Sequence, residues 1–449
     1  MARFHFVSVA QLLVSVTGAL AGLTVDVDDA DSVKKAAALV AEDLMSFYTG
    51  EIPGVLPGPP PNGDYYFWTG GALWTSMLDY RNRTGDTQYD EKISEGLLWQ
   101  RGPQDRFLSA NWTASEGNDD QAIWAMASLL AAETGFTEPE DVNTTWAAMA
   151  QNVFDFQSND NRRVTEGPCS GALRWQIYPI NTGYNYIATS ANVAYANLAA
   201  RLSVQNGNDK TQATAVQDTF DFLETSKFID SKFNVFNGAP VMSCDNIDKL
   251  QFSYLSALAL ESAAVMYNST GGDEKWKTLV DGLTGRSIDV FFPDGVAKEV
   301  ACEPDMCNTD MTFFKAFLHR SLASTMKAAP YTTSLILPVL KTSAAAAVKS
   351  CTAGDNKRMC VLDWTNGSDN QMGAGPQMSV LSALLSLLPA EKAVDSPSSG
   401  VGGNGTTNST TPTGSSSEPS ETPGSSGANA RVSAVVLLGG MALASLWLV

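Results

Sequence analysis

From Asp26 to about Pro389 the chain is one amphipathic helical stretch after another, with no polar linker between them. Ala36-Ala37-Ala38-Leu39-Val40 and Leu44 recur at helical spacing, as do Ala125-Met126, Leu129-Leu130 and Glu133. Further periodic stretches lie near 69–80, 87–100, 140–157, 184–206, 209–226, 251–269, 273–291, 310–327, 333–348 and 373–388, about twelve in all. Alternating β-branched runs are scarce, and Phe233-Asn234-Val235-Phe236 can form a short hairpin arm at most. The Gly/Pro cluster at 53–63 reads as a loop between helices. So many helices in one domain must bury some members on nearly every side. Ser190-Ala191-Asn192-Val193-Ala194-Tyr195-Ala196-Asn197-Leu198-Ala199-Ala200 has the small residues that such an inner position needs. An open solenoid would be marked by a strict sequence period, which is absent. The expected fold is all-α, with helical hairpins closed into a toroid.

Charge and histidine content narrow the chemistry. Forty-eight acidic against 29 basic side chains give a net charge of −19, which disfavours nucleic acid and anionic lipid as partners. His5 and His319 are the only histidines, so a three-histidine zinc site is excluded. A Ser-His-Asp triad would rest on His319, which reads as a helix-surface residue in Phe314-Lys315-Ala316-Phe317-Leu318-His319. No metal site or cofactor is expected, because the six cysteines form no paired C-x-x-C knuckles.

Both ends read as addresses. Residues 1–21 carry Arg3, an apolar run and Ala19-Leu20-Ala21, the pattern of a cleaved secretory signal. The folded domain is expected over 22–395, and a Ser/Thr/Gly/Pro-rich glycosylated stalk over 396–426. Residues 427–449 end in an apolar run with no charge after Arg431, behind the small residues Gly424 to Ala428. That reads as a GPI-attachment propeptide, with Ser426 or Gly427 as acceptor, in preference to a C-terminal transmembrane anchor on a flexible stalk, and it would place the mature protein on the outer face of the plasma membrane. Sequons at Asn82, Asn111, Asn143, Asn268, Asn366, Asn404 and Asn408 suit the same route. In that oxidising compartment the cysteines should pair: Cys351–Cys360 as one local bridge, with Cys302 or Cys307 closing another.

The chemistry-bearing stretch is Glu116-Gly117-Asn118-Asp119-Asp120-Gln121-Ala122-Ile123-Trp124, a loop end followed at once by a helical period. Acidic residues at a helix start commonly do no more than cap it, stabilising by about 0.3–1 kcal/mol. Here amide side chains and an indole flank the pair, which is the equipment of a sugar site. Glycoside hydrolysis needs two carboxylates, about 5–5.5 Å apart for retention or roughly 6.5–9.5 Å for inversion. Repulsion between adjacent aspartates would hold one proton on the pair at neutral pH. A second constellation runs Cys169-Ser170-Gly171-Ala172-Leu173-Arg174-Trp175-Gln176-Ile177, then Asn181-Thr182-Gly183-Tyr184-Asn185-Tyr186. It reads either as a disulfide-tethered loop with core aromatics or as a carbohydrate platform. Tyr65, Tyr66, Phe67, Trp68 and Trp74 form another aromatic cluster, most of it expected in the core.

Gly117-Asn118-Asp119-Asp120-Gln121, Leu173-Arg174-Trp175-Gln176-Ile177 and Asn181-Thr182-Gly183-Tyr184 together closely resemble glycoside hydrolase family 76. That family comprises fungal endo-α-1,6-mannanases and GPI-anchored wall proteins related to them. Leu198 to Leu202, Cys302 through Asp310 with Phe314-Lys315-Ala316, and Gly373 to Met378 extend the likeness over about 25–388. The resemblance implies an (α/α)6 barrel with its cleft at one end of the ring. It implies Asp119 as nucleophile and Asp120 as acid/base, with retention of configuration. Sugar contacts are expected from Asn118, Gln121, Trp124, Arg174, Trp175, Asn181, Tyr184 and Asp310. The implied substrate is α-1,6-mannan or a GPI-core mannoside, with wall glucan as a possible acceptor. The chain departs from the pattern at Met311, Ile123 and Ala125, and a non-catalytic mannan-binding wall protein is the competing class.

Overall fold

The computed structural model describes residues 22–57, 65–140, 142–365 and 371–389. Twelve α-helices lie among them: α1 Ala30–Met45, α2 Phe67–Thr84, α3 Asp90–Gln100, α4 Asn118–Glu133, α5 Trp146–Gln157 and α6 Thr189–Gln205. They continue as α7 Lys210–Thr225, α8 Ser253–Ser269, α9 Glu274–Phe291, α10 Phe314–Ala328, α11 Thr333–Lys349 and α12 Ala374–Leu385. The even-numbered helices form an inner ring in which each packs on the next and α12 returns to α2. Among the odd ones, α3, α5, α7 and α9 back onto α2, α4, α6 and α8, and α1 lies against α12. The all-α expectation holds, and the closed double ring is the (α/α)6 barrel.

Local sequence explains the two roles. The outer helices α1, α5, α7 and α9 start on Asp29, Thr145, Asp209 and Asp273, whose side chains accept first-turn N–H groups. The inner helices lack such side-chain caps and are buried along most of their length. Thus α6 buries every residue from Thr189 to Ser203. An inner helix has neighbours on all sides, so small side chains replace an apolar stripe. The same crowding corrects the expectation for His319 on α10. It is fully buried, with Nδ1 2.8 Å from the Lys315 carbonyl and Nε2 3.1 Å from Ser343 Oγ. Burial lowers its pKa to about 4, so the ring is neutral.

The connections are strongly unequal. Inner helices lead to outer ones through short turns at 85–89, 206–209, 270–273 and 329–332, and through 134–145. Outer helices return to inner ones through long segments at 46–66, 101–117, 158–188, 226–252, 292–313 and 350–373. The described parts of the long segments therefore sit at the end of the barrel where the inner helices begin. Two small antiparallel pairs stiffen that end: β1 Tyr186–Ala188 with β2 Gly238–Pro240, and β3 Cys351–Ala353 with β4 Met359–Cys360. Strand pairing at Tyr186 is why α6 starts later than the 184–206 period suggests. A 3₁₀ turn at Asp310–Phe313 delays α10 in the same way. The Phe233–Phe236 segment forms only the bridge Ile229–Val235.

The cysteines all pair, as Cys169–Cys244, Cys302–Cys307 and Cys351–Cys360, and every bridge lies in the long-segment end. Away from that end, ion pairs tie the inner ring together. Arg201 on α6 meets Glu133 on α4 at 2.7 Å, Arg320 on α10 meets Glu261 on α8 at 3.4 Å, and Arg83 on α2 donates to the Leu388 carbonyl at 2.5 Å. Among the sequons, Asn111, Asn143 and Asn268 are exposed and Asn82 is half-buried. Asn366, Asn404, Asn408 and the expected leader, stalk and propeptide, with Ser426 and Gly427, lie outside the described residues.

Two glycines separate packing from propensity. A Cβ on Gly375 of α12 would collide with Thr312 Oγ1, whereas a Cβ on Gly285 of α9 meets nothing within 4 Å. In thermal or urea unfolding, Gly375→Ala should lose about 1–3 kcal/mol. Gly285→Ala should gain about 0.5–1 kcal/mol, because it only restricts the unfolded chain.

Candidate active site

The first turns of the inner helices converge on a cavity of about 590 Å³. α4 contributes Asp119, Asp120 and Ile123, α6 Ser190 and Ala194, and α8 Tyr254 and Leu258. Asn308, Thr309, Asp310 and Phe314 come from the entry to α10, and Tyr66 and Trp68 from the start of α2. The 158–188 segment adds Trp175, Gln176 and Thr182. Among the described residues three carboxylates line the cavity, and neither lysine nor arginine does.

The two aspartates have different surroundings. Asp119 Oδ2 accepts from Ser190 Oγ at 2.5 Å and Oδ1 accepts from the Asp120 amide at 3.1 Å, with Trp175 as a further donor. Burial raises its pKa, and these donors oppose the rise by favouring the ionised form. Asp120 Oδ2 accepts from the Gly117 amide at 2.7 Å, and the Trp68 amide also donates to it. Burial pushes Asp120 well above the usual carboxylate range, and the charge of Asp119 beside it adds to the rise. The pair's shared proton therefore rests on Asp120, and Asp119 is the ionised member. Asp120 also closes the first turn of α4, so the capping role and the chemical one coexist.

Gly117 sets the spacing. A Cβ there would collide with Asp119 Oδ1 and stand 2.9 Å from Asp120 Oδ2. One carbon can reach both oxygens only if they lie within about 5 Å of each other, too close for the roughly 6.5–9.5 Å of the inverting class. The third carboxylate, Asp310, accepts from Trp68 Nε1 at 3.0 Å. Burial raises it to about 6, with the Asp119 charge adding and the indole donor opposing. Tyr254 packs on Phe314 with ring centroids 4.1 Å apart, and burial plus the Asp119 charge keep its hydroxyl protonated.

Of the expected sugar contacts, Trp175 and Asp310 face the cavity, and six do not. Trp124 is buried between Phe67 and Phe107, and its Nε1 donates to the Phe67 carbonyl. Gln121 is spent on the Arg106 carbonyl and Gln157. Asn118 is spent on the Arg174 carbonyl and Arg162. Asn181 holds the Thr113 carbonyl and Gln176, while Arg174 lies over the Tyr184 ring and bonds its carbonyl. Asn118, Gln121, Trp124 and Asn181 are buried and brace the wall from behind, while the half-buried Arg174 and Tyr184 hold each other outside the cavity, so the assignment of these six as contacts is corrected. In their place the structure brings in Trp68, Gln176, Ser190, Tyr254, Asn308 and Thr309. Trp68 belongs to the aromatic cluster assigned mostly to the core, and Ser190 opens the small-residue stretch. Tyr254 carries no signal of its own in the sequence. Among the described residues, no group of three or more His, Cys, Asp or Glu side chains is arranged to hold a metal ion.

Residues 32–399 match the model of glycosyl hydrolase family 76. The chain is 35% identical over 386 residues to the mannan endo-1,6-alpha-mannosidase DCW1 of Saccharomyces cerevisiae, covering 85% of this chain and 83% of that protein. The crystal structure of Dfg5 from Chaetomium thermophilum in complex with glucosamine is 42% identical, with a TM-score of 0.77 over 81% of this chain and 91% of that one. The fold also matches a Salegentibacter α-1,6-mannanase at a TM-score of 0.64 and 14% identity, over 79% of this chain and 98% of that one.

The Trp68 indole is the donor that holds Asp310 down. Trp68→Phe should therefore move the Asp310 titration above about 6, as read by carboxyl-carbon NMR. An unmoved or lowered value would contradict the hydrogen bond.

Proposed function

The chain belongs to glycosyl hydrolase family 76 and is a glycosidase, and we propose that it is a retaining, endo-acting α-1,6-mannosidase. The observation that carries the reading is the pair of unlike carboxylates at the start of α4, Asp119 held by Ser190 and the next amide and Asp120 by the Gly117 amide. The names of the curated relatives support the α-1,6-mannan backbone as substrate class.

Asp119 attacks C1 of the bound mannoside while Asp120 gives its proton to the departing glycosidic oxygen. The C1–O bond breaks, its electron pair leaves with the protonated alcohol, and a C1–Asp119 ester forms. Asp120, now ionised, takes a proton from the incoming hydroxyl, whose oxygen displaces Asp119. Ser190 and Trp175 steady the Asp119 carboxylate before and after the ester exists. The first turn of α4, which Asp120 closes, points its positive end at the same charge. Trp68, Trp175 and Tyr66 offer aromatic faces to sugar C–H groups, and Gln176, Asn308 and Asp310 offer hydroxyl partners. The competing non-catalytic reading is set aside, because the family is enzymatic and both carboxylates stand in place.

The physiological reaction we propose is transfer of GPI-core mannosides to wall glucan, with hydrolysis as the competing outcome. A secreted chain tethered through Ser426 or Gly427 would sit among the glycans of other GPI anchors, which raises the local donor concentration without any new contact. A cleft with three carboxylates and no base also suits the ammonium of the glucosamine that adjoins those mannoses.

On an α-1,6-mannan backbone, Asp119→Asn and Asp120→Asn should each lower kcat by about 10³-fold or more. Near-normal turnover in both variants, with folding intact, would end the assignment. Ser190→Ala should shift the acid limb of the kcat/KM profile to higher pH. Losing the donor destabilises ionised Asp119, so its protonation begins at a higher pH.

A further inference from the structure

The 292–313 segment carries a buried carboxyl that the chemistry above leaves unused. Glu299 is fully buried, and burial pushes its pKa up to about 8 against the pull of its hydrogen bonds. A carboxyl kept in so dry a place needs donors aimed at it. They come from Ser253, the first residue of α8, which lies 46 residues earlier in the chain. The Ser253 amide is 3.2 Å from each carboxyl oxygen, and Ser253 Oγ donates to Oε2 at 2.5 Å. Phe252, just before the helix, offers that end no acceptor side chain, so a distant segment supplies one.

The same segment makes a second anchor. The Glu299 amide donates to Glu303 Oε1 at 2.7 Å, and Lys315 Nζ stands 2.8 Å from that same oxygen. Lys315 also donates to the Leu362 carbonyl at 2.6 Å and lies 4.1 Å from the centre of the Trp364 ring, so its position is fixed from several sides. Cys302–Cys307 closes a loop that contains Glu303. Ser253 and Lys315 are the chain neighbours of Tyr254 and Phe314, whose rings pack in the cleft with centroids 4.1 Å apart. One segment thus holds the backbone beside both rings.

The packed tyrosine acts on Asp119. Ser190 has one hydroxyl proton, and it goes to Asp119 Oδ2 at 2.5 Å. The Tyr254 hydroxyl is hydrogen-bonded to Ser190 as well. With the serine proton already spent, the phenol must be the donor and the serine oxygen the acceptor. A hydroxyl that accepts one bond while donating another is polarised, and its donated bond strengthens. We infer that Glu299 is a positioning residue for the nucleophile: by holding Ser253 it sets the Tyr254 hydroxyl on Ser190 and keeps the Ser190 proton aimed at Asp119. The inference rests on Asp119 as the nucleophile, the assignment made above. Glu299 itself lies behind the cleft wall and touches no sugar.

Carboxyl-carbon NMR of the mature protein reads the Asp119 titration directly. Asp120 and Asp310, the other carboxylates of the cleft, stay in place in every variant. Glu299→Ala should raise the Asp119 titration by about half a pH unit, as should Tyr254→Phe, and the double variant should move it no further. Glu299→Gln keeps an acceptor oxygen for Ser253 and should return most of the shift. On α-1,6-mannan the acid limb of kcat/KM should follow the titration in each variant. Where Glu299→Ala does not fold, Ser253→Ala removes the 2.5 Å bond alone and should shift the titration in the same direction. A lowered Tm with an unmoved Asp119 titration would make Glu299 a structural brace and overturn the inference. A Glu299→Ala shift that persists in full on top of Tyr254→Phe would overturn the route through the tyrosine. Turnover that survives Asp119→Asn would instead end the nucleophile assignment, a result separate from whether the titration moves.

Discussion

Everything at this site depends on closing six helices around one axis. The return of α12 onto α2 completes the ring, and at such crowding only small side chains let backbones approach. Ser, Ala and Gly accordingly fill the inner faces, as in Ser190 to Ala200 and Ala374-Gly375. Small residues bring little apolar area per helix, so cohesion comes partly from buried polar contacts. The Arg201–Glu133 and Arg320–Glu261 pairs join neighbouring inner helices that alanines alone would hold loosely. Breaking one partner would strand a buried charge, so such pairs specify register more than they add net stability.

The same closure creates the chemistry. Helices arranged with their N-termini at one end present unpaired N–H groups and positive dipole ends to a common space. An uncapped N-terminus is costly when dry, and the inner helices leave theirs without side-chain caps. At α4 the deficit is filled by Asp120, which accepts from Gly117, and by Asp119, which accepts from the next amide. Carboxylates are thus stabilised where burial alone would forbid two of them. The long segments, with three disulfides and two short strand pairs, then harden the rim around that space. Rigidity matters here because two carboxyl groups held within about 5 Å separate if the loop bearing Gly117 drifts.

Helix number and position were legible because the outer elements keep an apolar spacing and the inner ones are unbroken runs of small and apolar residues between Gly/Pro-bearing loops. The two-carboxylate motif was legible too. What composition could not reveal was which neighbours of Asp119 turn inward, and helical geometry explains the errors. From α4, α6 and α8 the cavity takes residues at i and i+4, Asp119 and Ile123, Ser190 and Ala194, Tyr254 and Leu258, and Asp310 and Phe314 repeat that spacing at the entry to α10. Asn118, Gln121 and Trp124 lie on the other faces of α4 and meet neighbouring loops instead. Proximity in sequence was mistaken for proximity in space. His319 failed for a related reason, since a polar residue on an inner helix has no solvent to face.

Asp310 gives the site a property that two carboxylates alone would lack. Its own pKa, about 6, is raised by burial and by the charge on Asp119. Its charge in turn raises Asp120. Below about 6 Asp310 is protonated and neutral, so it adds nothing to the proton affinity of Asp120, which needs no help in acid. As pH rises through about 6, Asp310 ionises, and its new negative charge holds the proton on Asp120 more tightly just as solvent begins to compete for it. The alkaline limit of the acid's working range moves upward as a result. The acid limit, set by protonation of Asp119, stays governed by Ser190 and Trp175. A third acidic side chain beside the pair therefore widens the pH interval over which Asp119 is charged and Asp120 is not.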